Sequence, residues 1–237
     1  MRFDVLTLFP GLFAGYLGQS LLKLAIERGL VRVHLHDIRD WAKDKHKTVD
    51  DRPFGGGPGM VLKVDTVVEC VEGVRPMDAE PGHLVMLTPQ GRPLDQAGVE
   101  RLAERRRLLL LCGRYEGFDE RIRTILEPDE ISLGDFVLNG GEVAAMAVID
   151  AVIRLVPGVL GDEQSSEGDS FSSPGRLLEF AQYTRPREYR GLEVPPVLTS
   201  GNHEQIARWR EENSRERTRQ RRADLLDEPT ESDAESK

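Results

Sequence analysis

Apolar residues crowd positions 2–9, where Phe3, Val5, Leu6, Leu8 and Phe9 precede Pro10-Gly11, the pattern of a buried parallel strand stopped by a breaker. Phe13, Leu17, Leu21 and Leu24 then recur every three to four residues and predict one helix, closed by Gly29. VRVHLHDI at 31–38 reads as a second strand, so residues 2–38 spell a βαβ unit. The grammar repeats with a strand at 83–87, the loop TPQGRP at 88–93, an amphipathic helix from Leu94, a strand at 108–112 and the loop GRYEGFDE at 113–120. A short helix, a strand at 130–133 and a helix from about Glu142 to Val156, stopped by Pro157-Gly158, complete it. Alternation of apolar strands with helices predicts an α/β fold, a mostly parallel sheet with helices on both faces.

The pattern changes at 161–173. GDEQSSEGDSFSS is acidic, serine-rich and without periodicity, as a flexible linker is. Residues 204–222 read as a basic helix, and the chain ends in an acidic stretch expected to be disordered. The expected organisation is therefore a main domain at 1–160, a linker at 161–173, a small helical domain at 174–226 and a tail at 227–237. Asp4 and Pro10 interrupt the N-terminal apolar run, and no later run approaches the roughly eighteen apolar residues of a membrane span, so a cytoplasmic protein with no membrane partner is expected. Cys70 and Cys112 lack any CxxC or Cys/His ligand spacing, which fits a reducing compartment without a disulfide framework or structural zinc.

Charge modifies this picture. Among 237 residues, 32 Lys and Arg stand against 41 Asp and Glu, and the net charge of −9 argues at first against a nucleic-acid partner. By position it does not. Residues 223–237 hold −5 of that charge, whereas seven arginines and three glutamates give 206–222 a charge of +4. Only charge facing a phosphate releases counterions, so the local value governs binding.

Candidate chemistry lies in loops. PFGGGPG at 53–59 is either a flexible surface loop or a stretch of backbone bared for close approach to a ligand. It is no P-loop, because Met60-Val61 follows Gly59 where Lys-Ser/Thr is required. Loops 88–93, 113–117 and 134–141 leave the carboxyl ends of predicted strands, where open α/β sheets bind ligands. GDFVLNGGE combines glycine backbone with apolar walls, a lining suited to adenine and a thioether rather than a triphosphate. The helix at 142–156 is apolar all round except for Glu142, Asp150 and Arg154, which implies burial in a subunit interface. Taken alone, Arg154 reads as the i,i+4 partner of Asp150, Asp169 as a solvated acid, and His34 and His36 as structural residues without an acidic partner in range.

Together these words carry a resemblance. KTVDDRPFGGGPGM, LTPQGRPLDQ, LCGRYEGFDERI, SLGDFVLNGGE, VIRLVPGVLG, SSEGDSFS and YTRP with VPPVLTSGNHEQIARWR stand in order over about residues 1–226. The chain resembles the bacterial tRNA (guanine-N1)-methyltransferases of the TrmD type, in the SPOUT superfamily. The resemblance implies a homodimer with active sites at the subunit interface, and a deep trefoil knot in the sheet domain. It also implies methyl transfer from S-adenosyl-L-methionine to N1 of guanosine 37 of tRNA. Carried onto this chain, the donor contacts fall on Thr88, Pro89, Gln90, Gly113, Arg114, Tyr115, Glu116, Gly117, Ser132, Leu133, Gly134, Asp135, Phe136, Val137, Leu138, Gly140 and Gly141. The general base falls on Asp169 and the arginine that stabilises charge on O6 on Arg154, in place of their local readings. tRNA contacts are expected at Asp50, Gly59, Ser165, Arg215, Arg217 and Arg219, and Mg2+ at Glu116 and Asp169. Phe54 replaces the family's tyrosine, and Ala181 and Ala223 replace prolines, which is expected to loosen turns of the small domain. Another SPOUT enzyme acting on ribose or ribosomal RNA, and a nucleotide-binding module without catalysis, are the competing expectations.

Overall fold

The structure, a computed structural model, describes residues 1–161, 168–172 and 175–226. The chain divides into two units, Met1–Gly161 and Asp162–Lys237. In the first, β1 (Arg2–Thr7), α1 (Ala14–Leu17), α2 (Ser20–Glu27) and β2 (Arg32–Asp37) are followed by the short strands β3 (Asp50–Asp51) and β4 (Val61–Leu62). Then come α3 (Val64–Val74), β5 (His83–Pro93), α4 (Gln96–Ala103), β6 (Arg107–Cys112), α5 (Arg121–Leu126), β7 (Asp129–Ser132) and α6 (Gly141–Ile153). The central sheet has the order β2-β1-β6-β5-β7 and is parallel throughout.

Side chains alternate across the pleat, so each strand feeds two cores. Phe3, Val5, Val85, Leu108, Leu110 and Cys112 pack with α2, α4 and α6, while Leu6, Met86, Leu109 and Leu111 pack with α3 and α5 on the other face. Both cysteines are free thiols buried on opposite faces, and burial pushes both pKa values up.

Three elements differ from expectation. The single helix expected after Pro10 is two, because Gly18 ends α1 and extended Gln19 precedes Ser20 at φ +52°. The loop expected at 88–93 is part of β5: the strand leaves β7 after Leu87 and rejoins it at Arg92, both residues standing opposite Ile131. An intervening stretch of four residues is thus thrown outward without ending the strand. His36 does have an acidic partner, since the neighbouring parallel strand supplies Asp4, 2.7 Å from its Nε2.

Asp4 is fully buried and closes the lower end of the sheet. Arg2 donates to both of its oxygens at 2.8 Å and Arg107 Nε donates at 2.8 Å. Arg107 spends its remaining donors on the carbonyls of Val74, Arg75 and Glu80 at 2.6–2.8 Å, stapling the end of α3 to β6. Burial pushes the Asp4 pKa up, but hydrogen bonds from His36, Arg2 and Arg107 outweigh it and hold the carboxyl well below its usual 3.8.

The second unit holds β8 (Glu188–Tyr189) and β9 (Leu192–Glu193), an antiparallel hairpin, and one long helix, α7 (His203–Arg221), capped by Asn202. It is less helical than expected, because Pro186, Pro195 and Pro196 cannot continue a helix. Instead, extended residues 178–181 lie along α7, whose side chains satisfy their backbone. Thr218 Oγ1 accepts from the Leu178 N–H, Ser214 Oγ donates to the Leu178 carbonyl, and Asn213 Oδ1 accepts from the Ala181 N–H at 2.7 Å. Ala181 therefore ties this segment down through a donor that a proline lacks, rather than loosening it. Among the described residues no helix is long and apolar enough to cross a membrane.

Breaking a buried ion cluster from one side leaves the other charges unpaired. Asp4→Asn should cost about 3–5 kcal/mol in urea unfolding at pH 7. A carboxylate with a depressed folded pKa contributes stability that is present above its unfolded value and lost as pH falls below it. The gap between wild type and variant should therefore narrow below about pH 4; a gap independent of pH would assign the loss to packing.

Candidate active site

The cleft walls form where β6 and β7 end and where β5 swings away from β7 between Leu87 and Arg92. The carboxyl ends of β5, β6 and β7 lie side by side, and the segments that leave them enclose a cleft of about 300 Å3. Leu87–Gln90 contribute one wall, Gly113–Phe118 a second, and Ile131–Gly134 with Phe136–Gly141 the third. Of the seventeen residues expected at a donor site, all but Asp135 line this cleft. Asp135 is the centre of a tight turn closed by the Phe136 N–H on the Gly134 carbonyl at 2.9 Å, which turns it to solvent. Asn139 lines the cleft and was not anticipated.

Two glycines permit the walls to meet. The Gly141 N–H donates to the Gly113 carbonyl at 2.8 Å, and a methyl at Gly141 would stand 2.7 Å from the Cys112 Cα. At Gly91 a methyl would stand 2.4 Å from the Ile131 nitrogen, so the outward excursion of β5 presses directly onto β7. The result is a cleft lined by the glycines of three segments, by the polar side chains of Thr88, Gln90, Arg114, Glu116, Ser132 and Asn139, and by the apolar side chains of Phe136, Val137 and Leu138.

The charges around it are fixed by pairing. Glu142, in the first turn of α6, is 1% exposed. Its Oε1 accepts from Thr7 Oγ1 at 2.8 Å and its Oε2 from Arg114 Nε at 2.9 Å. Arg114 also donates to the Asn139 carbonyl at 3.2 Å and lies over the Phe9 ring, 4.4 Å from its centre. Glu142 thus orients the one arginine of the 113–117 loop, a task hidden in a sequence where it reads only as a polar exception on an apolar helix. Its signal is its position directly after Gly140-Gly141. Arg123 is likewise held by Glu120 and Glu130.

The glycine-rich stretch docks on the same place. The Glu116 N–H donates to the Met60 carbonyl and the Leu62 N–H to the Gly117 carbonyl, each at 2.9 Å, and Gly59 at φ +80° packs on the Glu116 side chain. Phe54, at its tip, is 99% exposed. Burial and then the Asp50 carboxylate push the Tyr115 phenol's pKa up, and Asp50 itself does not line the cleft.

The remaining expected residues lie elsewhere. Arg154 caps the C-terminal end of α6 and does not line the cleft. Alongside Val143, Ala147 and Asp150 it forms an exposed stripe, so α6 is not buried all round in one chain, and Val143 is 58% exposed. Asp169 belongs to the second unit, in a turn where its carbonyl accepts from the Ser172 hydroxyl at 2.6 Å. In that unit Arg215 pairs with Glu211, Arg219 with Glu216, and Arg217 donates to the Glu179 carbonyl. Ser165 and the acidic tail lie outside the described residues.

The lining fits a nucleoside bearing a thioether: hydrogen-bonding groups beside apolar walls, and among the described residues its two arginines, Arg114 and Arg123, are held by carboxylates rather than left for a phosphate chain. It does not build a metal site. Glu116 and Glu120 are the cleft's carboxylates, Glu120 is paired with Arg123, and among the described residues no three His, Cys, Asp or Glu side chains converge.

A parallel sheet with a backbone-walled cleft at the carboxyl ends of three neighbouring strands defines an α/β protein of the class that binds small ligands at a strand-exit crevice. More particularly, the chain belongs to the family described as tRNA (Guanine-1)-methyltransferase TrmD, an enzyme family of SPOUT fold, which it matches over residues 1–228. It is 62% identical over 236 residues to a Rhodopirellula baltica protein named tRNA (guanine-N(1)-)-methyltransferase, covering 99% of this chain and 98% of that one. Proteins of the same name from Geobacillus kaustophilus and Dehalococcoides mccartyi are 55% and 52% identical. Those matches cover 96% and 100% of this chain, and 92% and 95% of theirs.

The backbone contact at Gly141 is testable. Gly141→Ala should cost about 1–3 kcal/mol by overpacking, read as a lowered urea midpoint. Gly15→Ala, in α1 with open space around it, should be neutral or slightly stabilising. Equal midpoints for the two variants would show that the close approach is not a constraint.

Proposed function

We propose that the chain is a tRNA (guanosine(37)-N1)-methyltransferase using S-adenosyl-L-methionine. The observation that carries this is the coincidence of the cleft with the three motif loops: the residues at which the family holds its donor line one backbone-walled space. S-adenosyl-L-methionine supplies, when bound, a methyl on a sulfonium that becomes neutral as the methyl leaves.

Guanine N1 carries a proton that must depart as N1 attacks, and the Asp169 carboxylate takes it as general base. Negative charge then grows on O6, where the Arg154 guanidinium stabilises it. Thr88–Gln90, Gly113–Gly117 and Ser132–Gly141 hold the donor, with Glu142 keeping Arg114 in place. Arg154 sits on the exposed stripe of α6, which supports a homodimer in which Arg154 and Asp169 reach the partner's cleft. The backbone contacts at Gly91 and Gly141 support threading of these segments as a trefoil knot. The second unit, to which Asp169 belongs, takes the tRNA through Arg215, Arg217 and Arg219, while Asp50, Gly59 and Ser165 contact the RNA near the target base. Such an enzyme works in the cytoplasm, where tRNA is processed. No step is routed through Mg2+.

Incubation with labelled S-adenosyl-L-methionine should label a transcript with guanosine at position 37 and spare one with adenosine, and primer extension should stop at that base. Asp169→Asn should retain donor binding in calorimetry and lose about 10²–10⁴-fold in single-turnover rate. Arg154→Ala should lose about 10²–10³-fold. Wild-type rates in either variant would remove that residue's role.

A further inference from the structure

The tRNA-facing chemistry expected in the second unit rests on the arginines of α7, yet the structure gives Arg208, Arg215 and Arg219 carboxylate partners on the same helix, and Arg222 one in Asp224. Three of the six arginines of α7 thus meet glutamates of the same helix, whose net charge is +2.

A different place in the same unit has the opposite character. A cavity of about 370 Å3 lies between residues 180–187, the 194–199 turn and α7. Arg185, Arg187 and Arg210 line it, and no carboxylate does. None of the three has an ion-pair partner among the described residues. Of the nearby acids, Glu188 and Glu193 belong to the β8–β9 hairpin and Glu179 accepts from Gln182, and none of the three lines the cavity. All three are exposed to solvent, so their charges are open to an anion that enters the cavity.

The same wall carries planar aromatic surface. Arg210 lies over the Phe180 ring, 4.7 Å from its centre, which fixes its charge at the cavity. Tyr183 is 48% exposed, and its ring is supported by Trp209 at 6.3 Å. Exposed aromatic faces beside arginines are the recognition chemistry of unpaired nucleotides: the base stacks on a ring and the guanidiniums take the phosphates. An acidic peptide would use the arginines and leave the aromatic faces idle.

We infer that the Arg185/Arg187/Arg210 cavity is a second nucleotide pocket, separate from the methyl-transfer cleft, which holds one unstacked nucleotide of the substrate RNA and its flanking phosphates. This deepens the tRNA reading above and rests on it. Base-independent stacking and phosphate contacts would let the pocket position many tRNAs alike, leaving choice of the target base to the cleft.

The test measures tRNA affinity of the full-length protein by fluorescence anisotropy over a series of KCl concentrations. Combining Arg185→Gln, Arg187→Gln and Arg210→Gln should lower the slope of log affinity against log salt by about 2, as the loss of three phosphate contacts requires. The triple lysine variant at these positions should keep the wild-type slope. Tyr183→Ala should keep the slope and bind about tenfold more weakly, because stacking releases no counterion. All variants should keep the wild-type circular dichroism spectrum and thermal transition, which shows that the second unit folds, and should bind S-adenosyl-L-methionine as wild type does. A wild-type slope in the glutamine variant overturns the inference while wild-type methylation leaves the proposed function standing. Failure of the wild-type protein to bind tRNA overturns both. Two further results overturn the pocket: equal competition by poly-glutamate, which would make it a peptide site, and an altered sedimentation coefficient with an unaltered slope, which would make it an interface between copies.

Discussion

Two main chains touching without a side chain between them set the form of the cleft. The hydrogen bond from Gly141 to the Gly113 carbonyl brings the start of α6 against the exit of β6, closer than any residue with a Cβ allows. Gly91 does the same between β5 and β7. Because backbone is pressed on backbone, the main-chain groups among those that line the cleft have positions set by strand pairing rather than by rotamers. A ligand read by such groups is read by shape and hydrogen-bond direction, with little dependence on flexible side chains. The cost falls on sequence freedom, since these positions admit no larger residue.

The pairing of Glu142 with Thr7 and Arg114 completes that rigidity. A carboxylate at the first turn of a helix is favoured by the unsatisfied N–H groups there, and here it also fixes an arginine that would otherwise be a mobile cation at the rim. At the opposite end of the sheet, Asp4 plays the corresponding part for Arg2, Arg107 and His36. The two ends differ in purpose: the Asp4 cluster binds elements to one another, whereas the Glu142 cluster aims a side chain toward the space where ligands enter.

Much of this was legible in the sequence, and unevenly so. β1 and β6 announce themselves because a strand buried on both faces is largely apolar, the edge strand β2 because Val33 and Leu35 alternate with polar residues, and the cleft segments because glycine gathers near the strand ends. Local periodicity says nothing about long-range partners. His36 gave no hint of Asp4 in the adjacent strand, nor Glu142 of Thr7. The continuation of β5 through Pro93 was hidden because it depends on a slip of register against β7, a property of two strands at once. Asn213, Ser214, Arg217 and Thr218 lie in a stretch that reads only as a basic helix, yet they meet the main chain of residues 178–181. The role assigned to Asp169 has no local signal: an acid in a serine-rich stretch acquires meaning only through family resemblance. Net charge misled twice, once through the tail's acids and again through the arginines of α7, three of which meet glutamates of the same helix.

The hydrogen bond between Thr7 and Glu142 joins residues 135 positions apart. During synthesis the first strand leaves the ribosome long before the helix that completes its polar contact, so the emerging chain has a sheet edge and part of a core but no ligand site. Small-molecule binding therefore contributes nothing to the early steps of folding. It stabilises only a first unit that is already fully assembled, and the availability of donor then bears on how long a finished molecule survives rather than on whether a nascent one succeeds.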